Sequence, residues 1–248
     1  MLKFENVNAF YGKKQVIFNA VANINSGITC VLGKNGSGKT TLFSLPLNQI
    51  KYSGDIILNG QNIKEINYKE RAKMLSFLPQ SLNSTALTVF ELVMLARIPY
   101  LSFNKPNKND FDLVNKAIEM VKLTEKTNQK VSNLSGGEKQ RAYLALVLAG
   151  ETETVIFDEP LSYLDPEFSA LFLQIVKKLK DEKKCVIIIM HDINKAFEIA
   201  DNILLISNGA VKFYDSKEKA IENKILETEF NLKQYEIIKN NKREVIFK

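Results

Sequence analysis

The first 32 residues alternate apolar and polar positions in the way that is typical of half-buried strands. The alternation runs through "LKFENV" and "QVIFNAVANI", then "NSG" indicates a turn, and "ITCVL" is short and wholly apolar. A run of the last kind is typical of a strand that is buried on both faces. Beyond it the sequence predicts a helix from about Thr40 to Leu45. The segment "GDIILNG" then predicts another strand, closed by an Asn-Gly turn.

Helical periodicity dominates residues 82 to 148. Thr88 and Glu91 form a capping-box pattern that predicts the start of a helix, and Pro99 is predicted to end it. The polar segment "PYLSFNKPNKND" predicts a loop. "GEKQRAYLALVLA" predicts a helix that is apolar almost all round in its second half, which implies burial. Between these two lies "NDFDLVNKAIEMVKL", whose periodicity predicts one apolar helix face made of Phe111, Val114, Ala117, Ile118 and Val121.

Strand and helix patterns alternate again after residue 150. The runs "TVIFD" and "CVIIIM" are typical of buried parallel strands, and "DPEFSALFLQIVKKLKDEK" between them predicts a crossover helix. "NILLISNGAVKFYD" predicts a hairpin that turns at Asn208-Gly209. The tail from residue 216 predicts a short helix and a small second hairpin. Parallel βα units with an inserted helical block predict an α/β core that binds a nucleotide.

Composition narrows the class of protein. The chain has 248 residues, of which 45% are hydrophobic, so it can bury a full core. The net charge is +6, but the basic residues are scattered among 28 acidic ones, so no nucleic-acid-binding tract is predicted. Cys30 and Cys185 lie in apolar runs and are predicted to be buried thiols in a reducing compartment. We expect a cytoplasmic protein without a signal peptide or membrane span.

The segment "GKNGSGKT" at residues 33–40 matches G-x-x-x-x-G-K-[ST] between a predicted strand and a predicted helix. In such a loop backbone N–H groups curl round a phosphate, and the helix N-terminus adds its dipole. Lys39 is expected to reach the β- and γ-phosphates and Thr40 to bind Mg²⁺. A glycine-rich turn can match the motif by chance, but its context favours a nucleoside triphosphate. The nucleotide-binding set predicted here is Gly33, Asn35, Gly36, Ser37, Gly38, Lys39, Thr40 and Thr41.

The segment "VIFDEP" places two acidic residues at the end of an apolar strand. Asp158 suits a ligand of Mg²⁺, usually through water. Glu159 suits the base that orients and deprotonates the attacking water in a hydrolysis reaction. The alternative is a solvated Asp-Glu pair that caps the next turn.

The segment "LSGGEKQR" carries a second capping-box pattern, Ser135 with Glu138, and Gly136 and Gly137 leave the helix N-terminus open to an anion. Alone, it indicates only a well-capped helix. Together with "GKNGSGKT" and "FDEP" in this order, it resembles the signature sequence of ATP-binding cassette (ABC) ATPases.

The resemblance covers residues 2 to 225, and it implies a P-loop NTPase fold of the α/β class. Its parts are a mostly parallel core sheet, an N-terminal antiparallel β-subdomain and an α-helical subdomain inserted at about residues 82–148. On this view residues 1–225 form the ABC ATPase domain, and residues 226–248 are a short C-terminal extension.

The resemblance also implies roles for four further residues. Tyr11 is similar to the aromatic residue that stacks on adenine, and Gln80 to the glutamine that contacts Mg²⁺ and the attacking water. Asp165 resembles the D-loop aspartate, and His191, the only histidine, the switch histidine. Taken singly, each has a plainer alternative: a core aromatic for Tyr11, a loop polar residue for Gln80, a helix N-cap for Asp165 and a structural role for His191.

In this family the signature binds the γ-phosphate held by the P-loop of a facing copy. One P-loop and one signature therefore imply half of a dimer, a homodimer in the simplest case, with two ATP molecules at its interface. The implied catalytic residues are Glu159, Gln80 and His191. The implied Mg²⁺ ligands are Thr40, Gln80 and Asp158, and the implied contacts to ATP include Ser135, Gly136, Gly137, Glu138 and Asp165.

The stretch "LTVFELVMLARIPYL" resembles the iron–siderophore, haem and cobalamin importer branch of the family. That resemblance implies a peripheral protein on the cytoplasmic face of the cell membrane, with a membrane permease as partner and an extracytoplasmic binding protein as an indirect one. A plain helix stop is the alternative for residues 97–100. At the level of function, a soluble ABC ATPase of iron–sulfur cluster assembly and an exporter or lipoprotein-release ATPase remain alternatives.

Overall fold

A computed structural model describes residues 1–47, 50–101, 105–161, 166–239 and 242–248 of the chain. These residues divide into two compact units. Unit 1 combines Met1–Glu65 with Cys185–Lys248, and unit 2 is Ile66–Lys184.

The strands of the described residues include every predicted strand and two that were not predicted, at Gln61–Asn62 and Leu75–Leu78. They are β1 (Leu2–Tyr11), β2 (Lys14–Ile24), β3 (Gly27–Leu32), β4 (Lys51–Leu58), β5 (Gln61–Asn62), β6 (Leu75–Leu78), β7 (Thr154–Asp158), β8 (Cys185–Ile189), β9 (Asn202–Ser207), β10 (Ala210–Ser216), β11 (Gln234–Lys239) and β12 (Lys242–Phe247).

Most of the helices are short. They are α1 (Lys39–Ser44), α2 (Tyr68–Met74), α3 (Val89–Met94), α4 (Lys108–Met120), α5 (Gly136–Ala149), α6 (Pro166–Asp181), α7 (Ile193–Ile199), α8 (Lys217–Glu222) and α9 (Ile225–Phe230). Short 3-10 helices lie at Leu45–Leu47, Leu95–Tyr100, Thr124–Lys126 and Val131–Asn133.

Unit 1 contains an antiparallel sheet in the order β2-β1-β4-β5. The buried side chains of β1 are Leu2, Phe4, Val7 and Ala9, so the period of two is broken once. Asn6, which has a φ of 50°, occupies the break, and the pairing register shifts at the same place. This bulge keeps the apolar positions on the core face on both sides of it.

A second sheet in unit 1 runs in the order β10-β9-β3-β8. Its three strands β9, β3 and β8 are parallel, and every residue of β8 is buried. β10 is antiparallel to β9, and the turn between them holds Asn208 and Gly209 at φ values of 49° and 77°. Positive φ at both central residues is the type I′ requirement, which confirms the predicted hairpin.

The tail of unit 1 contains two short helices, α8 and α9, where one was predicted. The predicted second hairpin is confirmed as β11 and β12, which pair antiparallel from Gln234 opposite Phe247 to Lys239 opposite Lys242.

Unit 2 contains the parallel pair β6 and β7 and a group of helices, α3, α4 and α5, that pack on one another. On α4 the predicted apolar face is confirmed at Val114, Ala117 and Ile118, and Val121 just beyond it is also buried. The prediction is wrong for Phe111, which is 40% exposed and stacks on the ring of Phe90.

The buried position at the start of α4 belongs to Asp110, which stands four residues before Val114. Asp110 is only 1% exposed, because its carboxylate accepts a hydrogen bond from Arg97 Nε at 3.0 Å. Pro99 does not end the preceding helix as predicted. α3 ends at Met94, and the chain continues as a 3-10 helix that contains Pro99.

The remaining expectations on composition and class can be compared directly. Cys30 and Cys185 are buried thiols that form no disulfide, as predicted. Over the described ranges, none of the helices combines the length and the apolar character that crossing a membrane requires. The parallel strands, the antiparallel sheet and the helices confirm the α/β class.

Candidate nucleotide site

The glycine-rich loop follows β3 and leads into α1, as predicted. Lys39 is 6% exposed, and its Nζ donates hydrogen bonds to the carbonyl oxygens of Gly33 at 2.7 Å and Lys34 at 3.1 Å. Ser37 N–H donates to Lys34 O at 3.1 Å, and Gly209 N–H donates to Ser37 O at 2.9 Å. These bonds hold the loop in a closed curl, the shape that places several N–H groups around one anion.

Glycine is required at two positions of this loop for different reasons. A Cβ on Gly33 would lie 2.3 Å from the backbone oxygen of Ile206, so the space excludes any side chain. Gly38 is the N-cap of α1 at a φ of 101°, which L-residues rarely adopt. A glycine-rich turn that matches the motif only by chance would not need glycine at both Gly33 and Gly38.

The loop opens on a cavity of about 210 Å³. Thr40 beside it is exposed and Thr41 half-buried. The cavity is lined by loop residues, by the turn after β9 and by one residue of α9: Lys34, Asn35, Gly36, Ser37, Ser207, Asn208 and Glu229.

His191 lies past the end of β8. The parallel register places Val31 of β3 opposite Ile189 of β8, and Met190 N–H donates to Val31 O at 3.1 Å. Gly33 and His191, each two residues beyond this pair, therefore leave the sheet at the same edge. The carboxyl edge of a parallel sheet is where ligands bind in open α/β folds.

Tyr11 ends β1, directly before a turn at Gly12, and it is 54% exposed. The core-aromatic alternative is therefore wrong for Tyr11. An exposed ring at a strand end is available for stacking.

In unit 2 the structure brings together two of the predicted catalytic residues. The register of β6 and β7 places Leu78 opposite Phe157. Gln80 and Glu159 each lie two residues beyond this pair, so both leave the sheet at the same edge. Gln80 Nε2 donates a hydrogen bond to Glu159 Oε2 at 2.6 Å. Glu159 has a φ of 51°, an unusual conformation for a residue other than glycine, and such strain clusters at functional sites.

Asp158 is the last residue of β7 and is 1% exposed. Asp158 is therefore buried, whereas the next residue, Glu159, is partly exposed. The alternative of a freely solvated Asp-Glu pair is therefore wrong for Asp158.

The segment at residues 134–138 forms the N-terminus of α5. Ser135 is the N-cap: its Oγ accepts from Glu138 N–H at 3.3 Å, and its own N–H donates to Glu138 Oε2 at 2.9 Å. The capping box is thus confirmed. A Cβ on Gly136 would have no heavy atom within 4 Å, so this end of the helix is open.

Lys126 donates a hydrogen bond to Glu138 Oε1. That bond and the backbone N–H of Ser135 lower the pKa of Glu138 from 4.5 to about 2. Glu138 is therefore a fixed negative charge at neutral pH, and it stabilises the first turn of α5.

The loop, the acidic strand end and the capped glycine pair share one chain in the order that one family uses. The sequence profile of the ABC transporter family matches residues 20–162. The chain belongs to the ABC transporter family. Within this ABC protein the match covers the P-loop, Gln80, the signature at 134–138 and the Asp158-Glu159 pair.

Curated ABC relatives match along almost the whole chain. The petrobactin import ATP-binding protein YclP of Bacillus subtilis is 36% identical over 236 residues, which cover 94% of this chain and 93% of that protein. The ferric enterobactin transport ATP-binding protein FepC of Escherichia coli is 31% identical over 237 residues, 94% of this chain and 88% of that protein.

A solved ABC cassette has the same fold. The dimeric cassette MJ0796 superposes with a TM-score of 0.77 at 26% identity, and the alignment covers 88% of this chain and 99% of that one. The predicted ABC ATPase fold is thereby confirmed.

One residue of the predicted ABC site lies outside the described part of the chain, and two contacts at the site were not predicted. Asp165 lies outside the described residues, so its predicted contact to ATP stays a prediction. No pattern in the sequence indicates Glu229 in the P-loop cavity or the ion pair of Lys126 with Glu138, because each joins segments that no motif connects.

Proposed function

We propose that this chain is the ATP-hydrolysing subunit of an ABC importer for an iron chelate such as a ferric siderophore or haem, with cobalamin as the related possibility. The observation that carries the proposal is the similarity along 94% of the chain to an ATP-binding protein of petrobactin import. The site geometry supports the hydrolytic part. Residues 1–225 would form the cassette and residues 226–248 its extension.

Glu159 is proposed as the general base. In the hydrolysis of ATP the oxygen of water forms a bond to the γ-phosphorus while the bond to the β–γ bridging oxygen breaks. Glu159 takes the proton from that water, and ADP and phosphate are released. The hydrogen bond from Gln80 supports this role, because it holds the carboxylate of Glu159 in a defined position. His191 is proposed to bind the γ-phosphate as a donor.

The P-loop residues are proposed to bind the phosphates through their N–H groups and through Lys39. The closed curl of the loop supports this assignment, since Lys39 already lies along the loop with its ammonium at the carbonyl oxygens of Gly33 and Lys34. Tyr11 is proposed to stack on adenine, and its exposure supports that role.

Mg²⁺ is proposed to accompany ATP. Among the described residues, no group of three His, Cys, Asp or Glu side chains is arranged to hold a metal ion. Mg²⁺ fits the residues present nevertheless, because it is usually held by one or two protein oxygens together with substrate phosphates. Thr40, Asp158 and Gln80 would supply those oxygens, and the ion would neutralise charge that develops on the phosphates.

A second copy of the chain is proposed as the partner in hydrolysis. Ser135 and Gly137 would bind the γ-phosphate in the facing copy, with Asp165 at the same interface. The open N-terminus of α5 supports this, because its capping bonds are satisfied while Gly136 has free space above it. The relative MJ0796 was solved as a dimer.

A membrane permease is the proposed partner in transport, which would place the chain at the cytoplasmic face of the membrane. The 3-10 helix Leu95–Tyr100 supports this. Arg97 is buried, whereas Leu95 and Ile98 are 43% and 54% exposed. An anchored backbone that presents apolar side chains is typical of a docking surface.

The test of the proposal is uptake. In a host that lacks this chain, uptake of a radiolabelled ferric siderophore should fail. The wild-type gene should restore it, and a gene carrying Lys39→Ala should not, although the protein accumulates to the same level. The importer role would be refuted if the Lys39→Ala gene restored uptake fully. It would also be refuted if the host lacking this chain took up the siderophore normally. Co-purification with cluster-assembly proteins instead of a permease would also count against it.

A further inference from the structure

The C-terminal hairpin is fastened to the helix that follows His191. Asn194 of α7 makes a reciprocal pair of hydrogen bonds with the backbone of Phe247 in β12. Phe247 N–H donates to Asn194 Oδ1 at 2.9 Å, and Asn194 Nδ2 donates to Phe247 O at 3.2 Å. The Asn194 amide thus pairs with the backbone of β12 as a neighbouring strand would. The two bonds fix both the position and the register of the contact.

Aromatic packing reinforces this pair. The rings of Phe197 and Phe247 lie 4.7 Å apart between centroids, at an interplanar angle of 58°. Both side chains are almost fully buried, at 5% and 6% exposure. The contact therefore combines hydrogen bonds on one turn of α7 with burial on the next.

The other end of the extension reaches the P-loop cavity. Glu227 of α9 accepts a hydrogen bond from the N–H of Gln234, the first residue of β11, at 2.9 Å. Glu229 on the same helix lines the cavity of the P-loop. The extension therefore connects the mouth of the phosphate loop with α7 inside one unit.

α7 needs such support. It has seven residues, and an isolated helix of that length is marginal in water. At its start, Asp192 accepts a hydrogen bond from Lys195 N–H at 3.0 Å, which caps the helix directly after His191. Any displacement of α7 is passed to His191 through a single intervening residue.

We propose that Asn194 and Phe247 are positioning residues for ATP hydrolysis, and that residues 226–248 act as a strap that holds α7 and thereby His191. This inference rests on the proposed role of His191. Neither Asn194 nor Phe247 lines the P-loop cavity. Loss of their contact therefore changes the rate of the chemical step and leaves ATP affinity intact.

The experiment compares Asn194→Leu with wild type in the full-length protein, by single-turnover phosphate release and by titration with a fluorescent ATP analogue. Leucine has the same number of side-chain heavy atoms as asparagine and the same branching at Cγ, but it makes neither hydrogen bond. We expect hydrolysis to slow about tenfold or more with the dissociation constant for ATP within about twofold, the pattern of a lost alignment. Glu198→Leu, at an exposed position of the same helix, is the matched control and should keep the wild-type rate.

A double-mutant cycle separates this inference from the role of His191. If Asn194 acts through His191, Asn194→Leu should change nothing further in a His191→Ala background. An equal slowing in both backgrounds, or a wild-type rate for Asn194→Leu, would overturn the strap. Normal hydrolysis by His191→Ala alone would refute the role of His191 instead.

Phe247→Leu keeps a large apolar side chain and both backbone hydrogen bonds to Asn194, so it should keep most of the wild-type rate. A Phe247→Leu rate as low as that of Asn194→Leu would contradict the hydrogen-bond account.

Discussion

Removal of the Asp110 carboxylate should destabilise unit 2 strongly. Arg97 and Asp110 are 4% and 1% exposed, and the Arg97 Nε to Asp110 Oδ1 distance is 3.0 Å. Arg97 also donates to Ala149 O at 3.0 Å and stacks 3.9 Å from the ring centre of Tyr100. The guanidinium therefore joins the 3-10 helix, the start of α4 and the end of α5.

Asp110→Ala removes two interactions at once. It leaves the buried Arg97 charge with only Glu151, whose carboxylate lies 3.8 Å away on a side chain that is 52% exposed. Loss of the buried partner of such a pair costs about 3–5 kcal/mol. It also breaks the bond from Asn107 N–H to Asp110 Oδ2, 2.9 Å long, which is half of the capping box of α4. Loss of a cap adds about 1 kcal/mol. Asp110→Asn keeps an oxygen for the cap and loses the charge, so it should fall between wild type and Asp110→Ala.

Urea unfolding followed by far-ultraviolet circular dichroism suits this protein, which has no tryptophan. The control is Lys219→Ala, since Lys219 and Asp215 form an ion pair with 59% and 41% exposed side chains, and it should not shift the midpoint measurably. The double variant Arg97→Met, Asp110→Leu should recover much of the loss, because no charge is then left buried. An Asp110→Ala midpoint equal to that of Lys219→Ala would refute the reasoning.

Three further predictions concern groups whose surroundings are well defined. The pKa of Glu138 is lowered to about 2, so its stabilising effect is complete above pH 4.5 and is lost as the pH falls towards 2. The melting-temperature difference between wild type and Glu138→Gln should therefore narrow below pH 4.5, and a difference independent of pH would contradict this. Burial raises the pKa of the Cys30 thiol. Cys185 is buried as well, so neither cysteine should react with a thiol reagent until urea unfolds the chain. Rapid reaction of the native protein would count against that packing. Gly38→Ala should weaken ATP binding measured by calorimetry, because it strains the N-cap of α1 within the loop. Gly60→Ala, which is strained at a similar φ but lies outside the loop, should not.

Much of the fold could be predicted from local pattern. The runs "TVIFD" and "CVIIIM" are apolar because their strands are buried on both faces, so their ends, Asp158 and Met190, could be placed to within a residue. Thr88 and Ser135 were found as helix starts because a capping box is a contact across three residues.

Errors arose where a distant partner overrides the local pattern. Helical periodicity predicts Phe111 on the buried face because it is apolar, yet Asp110 takes that place with Arg97, 13 residues away, as its partner. Pro99 ends no helix, because a 3-10 turn anchored by Arg97 and Tyr100 carries the chain through it. Neither pairing leaves a periodic signal in the sequence.

The candidate site shows the same division. The P-loop could be located because its glycines, all at positive φ, and Lys39, bonded to Gly33 O and Lys34 O, lie within one motif of eight residues. Gln80 and Glu159 are 79 residues apart, and only the register of β6 and β7 accounts for their hydrogen bond. Asn194 and Phe247 belong to no motif, so the strap could be found only in the structure.

The most direct test of the central claim is phosphate release by the purified chain with Mg-ATP, measured for wild type and for Glu159→Gln. The amide keeps the shape of the side chain but cannot take a proton from water. Release by Glu159→Gln should therefore fall by about 100-fold or more while ATP binding persists. Release at the wild-type rate by Glu159→Gln would contradict the account.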